Sequence, residues 1–144
     1  MPQPERFAFS LPIRVAWGDM DALRHVNNVS YTRYFETARA EFFVHLHERF
    51  DYKLADDHTM ILTKLEFNYR GQVFFPATIE VTCGIVKLSG RTMLLGCSMW
   101  DQGGRCVADG VSHHMWIDIP TAKAIRMPPE FQPVFEAYQD GRLK

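Results

Sequence analysis

The chain has 144 residues, of which 47% are hydrophobic and 23% charged, and its formal net charge is −1 with a pI near 6.6. This length fits one domain, 1–144, with a core of its own. The near-zero charge and the lack of a basic run argue against a nucleic-acid partner or a membrane-surface partner.

The three cysteines have no CxxC spacing. The first ten residues, MPQPERFAFS, contain two prolines and two charged residues, so they do not resemble the apolar segment of a signal peptide. No apolar run approaches the length of a membrane span. These features predict a reduced cytoplasmic protein in which the cysteines are small core residues.

The first predicted strand covers residues 11–17, LPIRVAW. Ile13, Val15 and Trp17 fall on one face of that strand because side chains alternate between the two faces. Gly18 then allows the chain to turn away from the strand direction.

A long helix is predicted from Val29 to about Phe50. One apolar stripe recurs at i, i+4, i+7 and i+11 and consists of Tyr31, Phe35, Ala38 and Phe42. Asn27 or Asn28 is the predicted N-cap, since an asparagine side chain accepts hydrogen bonds from the free N–H groups of the first turn. The polar ladder at i, i+3 spacing, which can pair along the helix, is Arg33, Glu36 and Arg39.

The second half of the chain shows strand patterns after a polar loop at residues 51–58. The predicted strands lie at about residues 64–70, 79–88, 91–100 and 105–119. Pro76 interrupts the first two because proline cannot donate to a ladder. DQGG at 101–104 predicts a hairpin turn, and residues 128–140 predict a short terminal helix or an irregular tail.

This element order predicts the α+β class. Tight turns make consecutive strands antiparallel, and the one long helix must bury its apolar stripe against their sheet. We therefore expect a curved antiparallel five-stranded sheet wrapped around one long central helix. The predicted core spans about residues 8–120, with a C-terminal tail at 121–144.

A polar cluster directly precedes the long helix. Two aspartates, a histidine and two asparagines lie within ten residues. The first-turn N–H groups of a helix lack intrahelical partners and carry partial positive charge, so they can stabilise an oxyanion. Asp19 or Asp21 could act beside them as general base or nucleophile. The alternative is that these residues only cap the helix and close a turn, with His25 as a hydrogen-bonded structural histidine.

Other catalytic chemistries find no motif in the chain. The histidine pairs at residues 45–47 and 113–114 lack the spacing of metal ligands, and there is no CxxC or HxxxH. There is also no G-x-S-x-G elbow, P-loop or GxGxxG fingerprint. We expect no metal and no cofactor.

The stretch WGDMDALRHVNNVSYTRYFETAR resembles the signature segment of the hot-dog-fold acyl-CoA thioesterases, specifically the 4-hydroxybenzoyl-CoA thioesterase-like family. The resemblance covers residues 8–120. It implies hydrolysis of an acyl-CoA thioester with Asp21 as the catalytic carboxylate and the backbone N–H of Asn28 as the oxyanion donor. It further implies that His25, Asn27 and Glu36 line or brace the site, while Asp19 fixes the loop.

The same resemblance implies a homodimer or homotetramer with active sites between protomers. Tyr31 and Phe35 could then line an apolar cleft for the acyl group, or simply belong to the core. Lys87, Ser89 and Arg91 could bind the phosphates of coenzyme A, or form a solvated turn. Two other functions fit the fold, namely a dehydratase or hydratase acting on acyl thioesters and a non-catalytic acyl-thioester binding module.

Overall fold

Five antiparallel strands and one long helix packed against them make up most of the computed structural model, which describes residues 4–50 and 56–143. The strands are β1 (Phe9–Arg14), β2 (His58–Tyr69), β3 (Thr78–Leu88), β4 (Thr92–Trp100) and β5 (Cys106–Asp118), and the helices are α1 (Asn28–Phe50) and α2 (Gln132–Gln139). The sheet order is β1-β3-β4-β5-β2, and all neighbouring strands run antiparallel. The predicted α+β class and the antiparallel sheet are confirmed.

The predicted boundaries of β3, β4 and β5 agree with the structure to within one residue. The predicted start of β2 at residue 64 is wrong, because the strand begins at His58 and a register shift between Leu62 and Lys64 interrupts its alternation. The break around Pro76 separates β2 from β3, and the DQGG turn closes where Asp101 N–H donates to Arg105 O at 3.0 Å. The predicted polar loop at 51–58 lies largely outside the described residues, and its last residue, His58, is the first of β2.

The predicted first strand at 11–17 is wrong at its end, because β1 stops at Arg14. Residues 17–19 form a 3₁₀ turn instead, and the Trp17 side chain is 75% exposed rather than facing the core. The cause is local. The Asp19 carboxylate accepts a hydrogen bond from Ala16 N–H at 3.0 Å, which bends the chain out of the strand direction.

The core lies between α1 and the inner face of the sheet. The whole predicted stripe of the helix is buried: Tyr31, Phe35, Ala38 and Phe42 are each at most 3% exposed. The three cysteines are also buried and free, as predicted. The C-terminal segment forms a helix rather than an irregular tail, and Phe131, just before α2, packs its ring edge-on to Trp116 at 5.3 Å.

Gly110 of β5 lies in close contact with the edge strand β2. A Cβ atom there would come within 2.6 Å of Glu66 O and 2.7 Å of Phe67 Cδ2. We expect Gly110→Ala to lower the free energy of unfolding by about 1–3 kcal/mol, as overpacking does, measured by urea denaturation. Gly90→Ala is the control, since its Cβ would meet nothing within 4 Å. Equal stability of the two variants would contradict this packing.

His114 is a buried histidine on the inner face of β5, where its Nε2 lies 2.8 Å from Ser112 Oγ. Burial, and then the positive charges of Arg39 and His113, lower the pKa of His114 from its usual 6.5 to about 4. A depressed histidine pKa means that the unfolded chain binds the proton more readily, so stability falls as pH drops from about 6.5 to 4.

We therefore expect His114→Gln to show a smaller loss of melting temperature than the wild type between pH 7 and pH 4.5. Glutamine cannot take up this proton but can still bond Ser112. Melting curves across this pH range provide the measurement, and parallel pH dependences for the two proteins would contradict the assignment.

Candidate active site

The polar cluster folds into a small hairpin, which we call the Asp19–Asn27 hairpin. Asn27 N–H donates to Asp19 O at 2.9 Å, and Asp21 N–H donates to His25 O at 3.1 Å. The turn of this hairpin is closed by Arg24 N–H, which donates to Asp21 O at 3.0 Å. Two residues of the cluster are thereby placed at opposite ends, Asp21 at the turn and Asn27 at the base.

The Asp21 carboxylate has one oxygen occupied and one available. Its Oδ1 accepts from Leu23 N–H at 2.8 Å, while no donor to Oδ2 is found in the part of the chain that the structure describes. The side chain is partly exposed and lines an open cleft of about 530 Å³. The other residues lining that cleft are Trp17, Gly18, Met20, Arg24 and Phe75. A carboxylate with a free oxygen thus lies beside aromatic and thioether side chains.

The first turn of α1 begins at the base of the hairpin. Asn27 Oδ1 accepts from Val29 N–H at 3.0 Å, so Asn27 is the N-cap and Asn28 is the first helical residue. Among residues 4–50 and 56–143, no acceptor is found for the Asn28 N–H. This donor lies at the positive end of the helix dipole, where it can bind an oxygen that gains negative charge.

Asp19 is a buried carboxylate that joins the hairpin to the helix. It is 8% exposed, and its Oδ2 accepts both Ala16 N–H at 3.0 Å and the Tyr34 hydroxyl at 2.6 Å. Arg33 approaches Oδ1 at 3.4 Å instead of pairing along the helix as the ladder predicted. Burial, together with the Asp19 carboxylate, raises the pKa of Tyr34 well above its usual value, so its hydroxyl remains a donor.

His25 and Glu36, which were predicted to line or brace the site, make few side-chain hydrogen bonds among the described residues. His25 Nδ1 lies 3.1 Å from Val26 O, a local contact beside the hairpin turn. Glu36 is exposed on α1, and no hydrogen bond of its side chain is found within the described residues. The structure therefore places His25 in the hairpin but not among the residues that line the cleft, and it places Glu36 on the exposed side of the helix.

Tyr31 and Phe35 are core residues in this chain. Their exposed fractions are 3% and 0%, and the Tyr31 hydroxyl donates to Gly71 O at 3.0 Å. Phe35 packs against Phe67 with ring centroids 6.1 Å apart. Neither side chain lines the open cleft beside Asp21.

Lys87, Ser89 and Arg91 lie at the turn between β3 and β4. β3 begins at Thr78, directly after the β2–β3 connection that contains Phe75. The strand then runs for ten more residues, roughly 33 Å at the usual rise, before it reaches this turn. Ser89 Oγ is engaged within the turn, 2.9 Å from Thr92 Oγ1. In a single chain these residues are not brought together with Asp21.

Four residues that line the cleft, Trp17, Met20, Arg24 and Phe75, were not identified as site residues from the sequence. Phe75 comes from the connection between β2 and β3, and its N–H lies 3.4 Å from Met20 Sδ, a contact that no local pattern reveals. Arg24 has a φ of 68°, a left-handed conformation that is uncommon for a residue other than glycine, asparagine or aspartate. Trp17 was assigned to the strand face by its alternation.

The described residues contain neither a metal-ligand group nor a membrane-spanning helix. Within residues 4–50 and 56–143, no three His, Cys, Asp or Glu side chains are grouped as metal ligands would be. In the same part of the chain, no helix is both long and apolar enough to cross a bilayer.

Comparisons with known proteins agree on one family. A model of the thioesterase-like superfamily matches residues 15–135. The long-chain acyl-CoA thioesterase FadM of Escherichia coli K12 is 25% identical over 125 residues, which cover 86% of this chain and 94% of that protein.

Two solved structures from Staphylococcus aureus share the fold. A DHNA-CoA thioesterase aligns with a TM-score of 0.80 at 21% identity, over 92% of this chain and 89% of its own. A protein solved in complex with CoA aligns with a TM-score of 0.76 at 14% identity, over 96% of this chain and 88% of its own.

The N-cap at Asn27 gives a stability prediction. Asn27→Ala removes the acceptor for Val29 N–H, so the free energy of unfolding should fall by about 1 kcal/mol, whereas Asn27→Ser should retain most of it. Chemical denaturation measures both variants. Asn68→Ala is the control, because the Asn68 side chain is exposed and its contact with Asp109 is long, at 3.4 Å. A full loss in the serine variant would argue against capping.

Proposed function

Because the chain belongs to the thioesterase-like superfamily, we propose that it hydrolyses acyl-CoA thioesters to a free carboxylic acid and coenzyme A. The observation that supports this most directly is the free Oδ2 of Asp21 in an open cleft, on a hairpin whose base leads into the helix N-terminus with the uncapped N–H of Asn28. The similarity to FadM, a long-chain acyl-CoA thioesterase, supports the same substrate class.

The proposed chemistry needs no cofactor, because a thioester carbonyl is already activated. Asp21 either deprotonates a water molecule that attacks the carbonyl or attacks it directly. The carbonyl oxygen becomes negative and accepts the Asn28 N–H. The C–S bond then breaks, and the coenzyme A thiolate leaves and takes up the proton that Asp21 removed from the water. If Asp21 attacks directly, the thiolate takes its proton from solvent, and water then hydrolyses the acyl–Asp21 anhydride to the free acid and the regenerated carboxylate.

The hairpin carries both proposed reacting groups on one short stretch of chain. Asp21 lies two residues beyond Asp19, whose carbonyl oxygen accepts the Asn27 N–H, and Asn28 follows directly after Asn27. His25 and Asn27 hold the ends of the same hairpin.

We further propose that the active unit is a homodimer or homotetramer. β2 forms one edge of the sheet, extends over twelve residues, and exposes Ile61 and Leu62. A long apolar edge strand needs a partner. In such an assembly the turn with Lys87, Ser89 and Arg91 of a second copy could reach the phosphates of coenzyme A that a single chain leaves unbound.

The activity is tested by incubating the protein with short, medium, long and aromatic acyl-CoAs and following free thiol. Thiol release that depends on Asp21 supports the proposal. Consumption of the thioester without thiol release would indicate a dehydratase or hydratase. Binding without turnover would indicate a non-catalytic binding module.

Asp21→Asn is the sharpest single variant. Asparagine is nearly isosteric and its Oδ1 can still accept from Leu23 N–H, so the turn should survive while the base or nucleophile is lost. We expect kcat/KM for the best acyl-CoA to fall by about 10²–10⁴-fold. Asp140→Asn, at an exposed residue that pairs with Arg142 after α2, is the matched control and should leave kcat/KM unchanged. Activity of Asp21→Asn within a few-fold of the wild type would disprove the mechanism.

A further inference from the structure

We propose that Tyr34 is a positioning residue for this site, because its hydroxyl fixes the Asp19–Asn27 hairpin relative to α1. The inference rests on the proposed function and adds a residue that does not touch the substrate. Tyr34 lies in the second turn of α1, six residues after Asn28, and is 4% exposed. Its O–H donates to Asp19 Oδ2 at 2.6 Å, a buried contact between residues fifteen apart in sequence.

The Tyr34 hydroxyl is the buried side-chain donor to Asp19. Arg33 also approaches this carboxylate, but at 3.4 Å and with a side chain that is 63% exposed, where solvent screens the pair. The remaining donor, Ala16 N–H, belongs to the same short turn as Asp19 and cannot fix that turn relative to the helix. A buried carboxylate needs its hydrogen bonds, so the position of Asp19 depends on the tyrosine.

The position of Asp19 in turn sets both ends of the proposed site. Its carbonyl oxygen accepts Asn27 N–H at 2.9 Å, and Asn27 caps the turn that presents the Asn28 N–H. Two residues further along the hairpin, Asp21 carries the carboxylate. Tyr34 therefore helps to set the position of the Asp21 carboxylate relative to the Asn28 N–H, and it does so through Asp19.

The Tyr31 hydroxyl does not share this role, although it lies one turn earlier on the same helix. It donates to Gly71 O at 3.0 Å, in the connection between β2 and β3. The two tyrosine rings lie 6.4 Å apart. Only the Tyr34 hydroxyl bonds to a residue of the hairpin within the part of the chain that the structure describes.

The test variant is Tyr34→Phe, which keeps the ring in the core and removes only the donor. We expect kcat to fall by about 10–100-fold, because a displacement of about 1 Å at a reacting centre costs that much, while KM stays within about three-fold. The matched control is Tyr138→Phe, which loses a 3.4 Å bond to Val86 O far from the hairpin and should leave both constants unchanged. Assays are run well below the melting temperatures of both variants.

A second measurement reports on the hairpin without activity. Amide hydrogen exchange of Asn27, whose N–H is bonded to Asp19 O, should accelerate in Tyr34→Phe but not in Tyr138→Phe, while β3 and β4 amides keep their wild-type rates. Faster exchange throughout the sheet would show general loosening and overturn the positioning role. An unchanged kcat, or an unchanged Asn27 rate, would also overturn it.

The two proposals fail in different ways. If Asp21→Asn abolishes turnover and Tyr34→Phe does not affect it, the mechanism stands and the role of Tyr34 is wrong. If Asp21→Asn remains active, the mechanism is wrong, and the exchange rate of Asn27 still decides whether Tyr34 holds the hairpin.

Discussion

The buried carboxylate of Asp19 is the interaction on which the site depends. It ends β1 by drawing Ala16 N–H into a turn, and it receives the Tyr34 hydroxyl from the helix. Its backbone oxygen holds Asn27 at the start of α1. One residue therefore connects the first strand, the hairpin and the helix. The more exposed Asp21 uses only its Oδ1 in the turn, so its Oδ2 stays available within the described residues.

The connection between β2 and β3 provides a second constraint on the position of the hairpin. Val26 N–H donates to Val73 O at 2.8 Å, and Val15 N–H donates to Ala77 O at 2.9 Å, so the connection between β2 and β3 is bonded both to the hairpin itself and to the chain just before it. Val26 and Val73 are both almost fully buried. Phe75, between these two anchor points, is thereby held against the cleft. The cleft is consequently built from sequence segments that only the tertiary fold brings together.

The sequence predicted the elements in which apolar residues recur with a regular period. The stripe on α1 and the alternation in β3, β4 and β5 predicted those elements to within a few residues, although β3 and β4 prove to be buried on both faces over part of their length. The alternation wrongly predicted that Trp17 faces the core, because the hydrogen bond from Ala16 N–H to the Asp19 side chain ends the strand first. The residue types of the hairpin were recognisable, but their contacts with Tyr34 and Phe75 were not, because these partners lie fifteen or more residues away in sequence.

The exposure of Trp17 has a spectroscopic consequence. The chain has three tryptophans, and two of them, Trp100 and Trp116, are 8% and 0% exposed, while Trp17 is 75% exposed at the rim of the cleft. An aqueous quencher such as iodide therefore reaches one indole far better than the other two. The fluorescence that iodide quenches therefore comes mainly from Trp17, so this indole reports optically on the cleft that Asp21 lines.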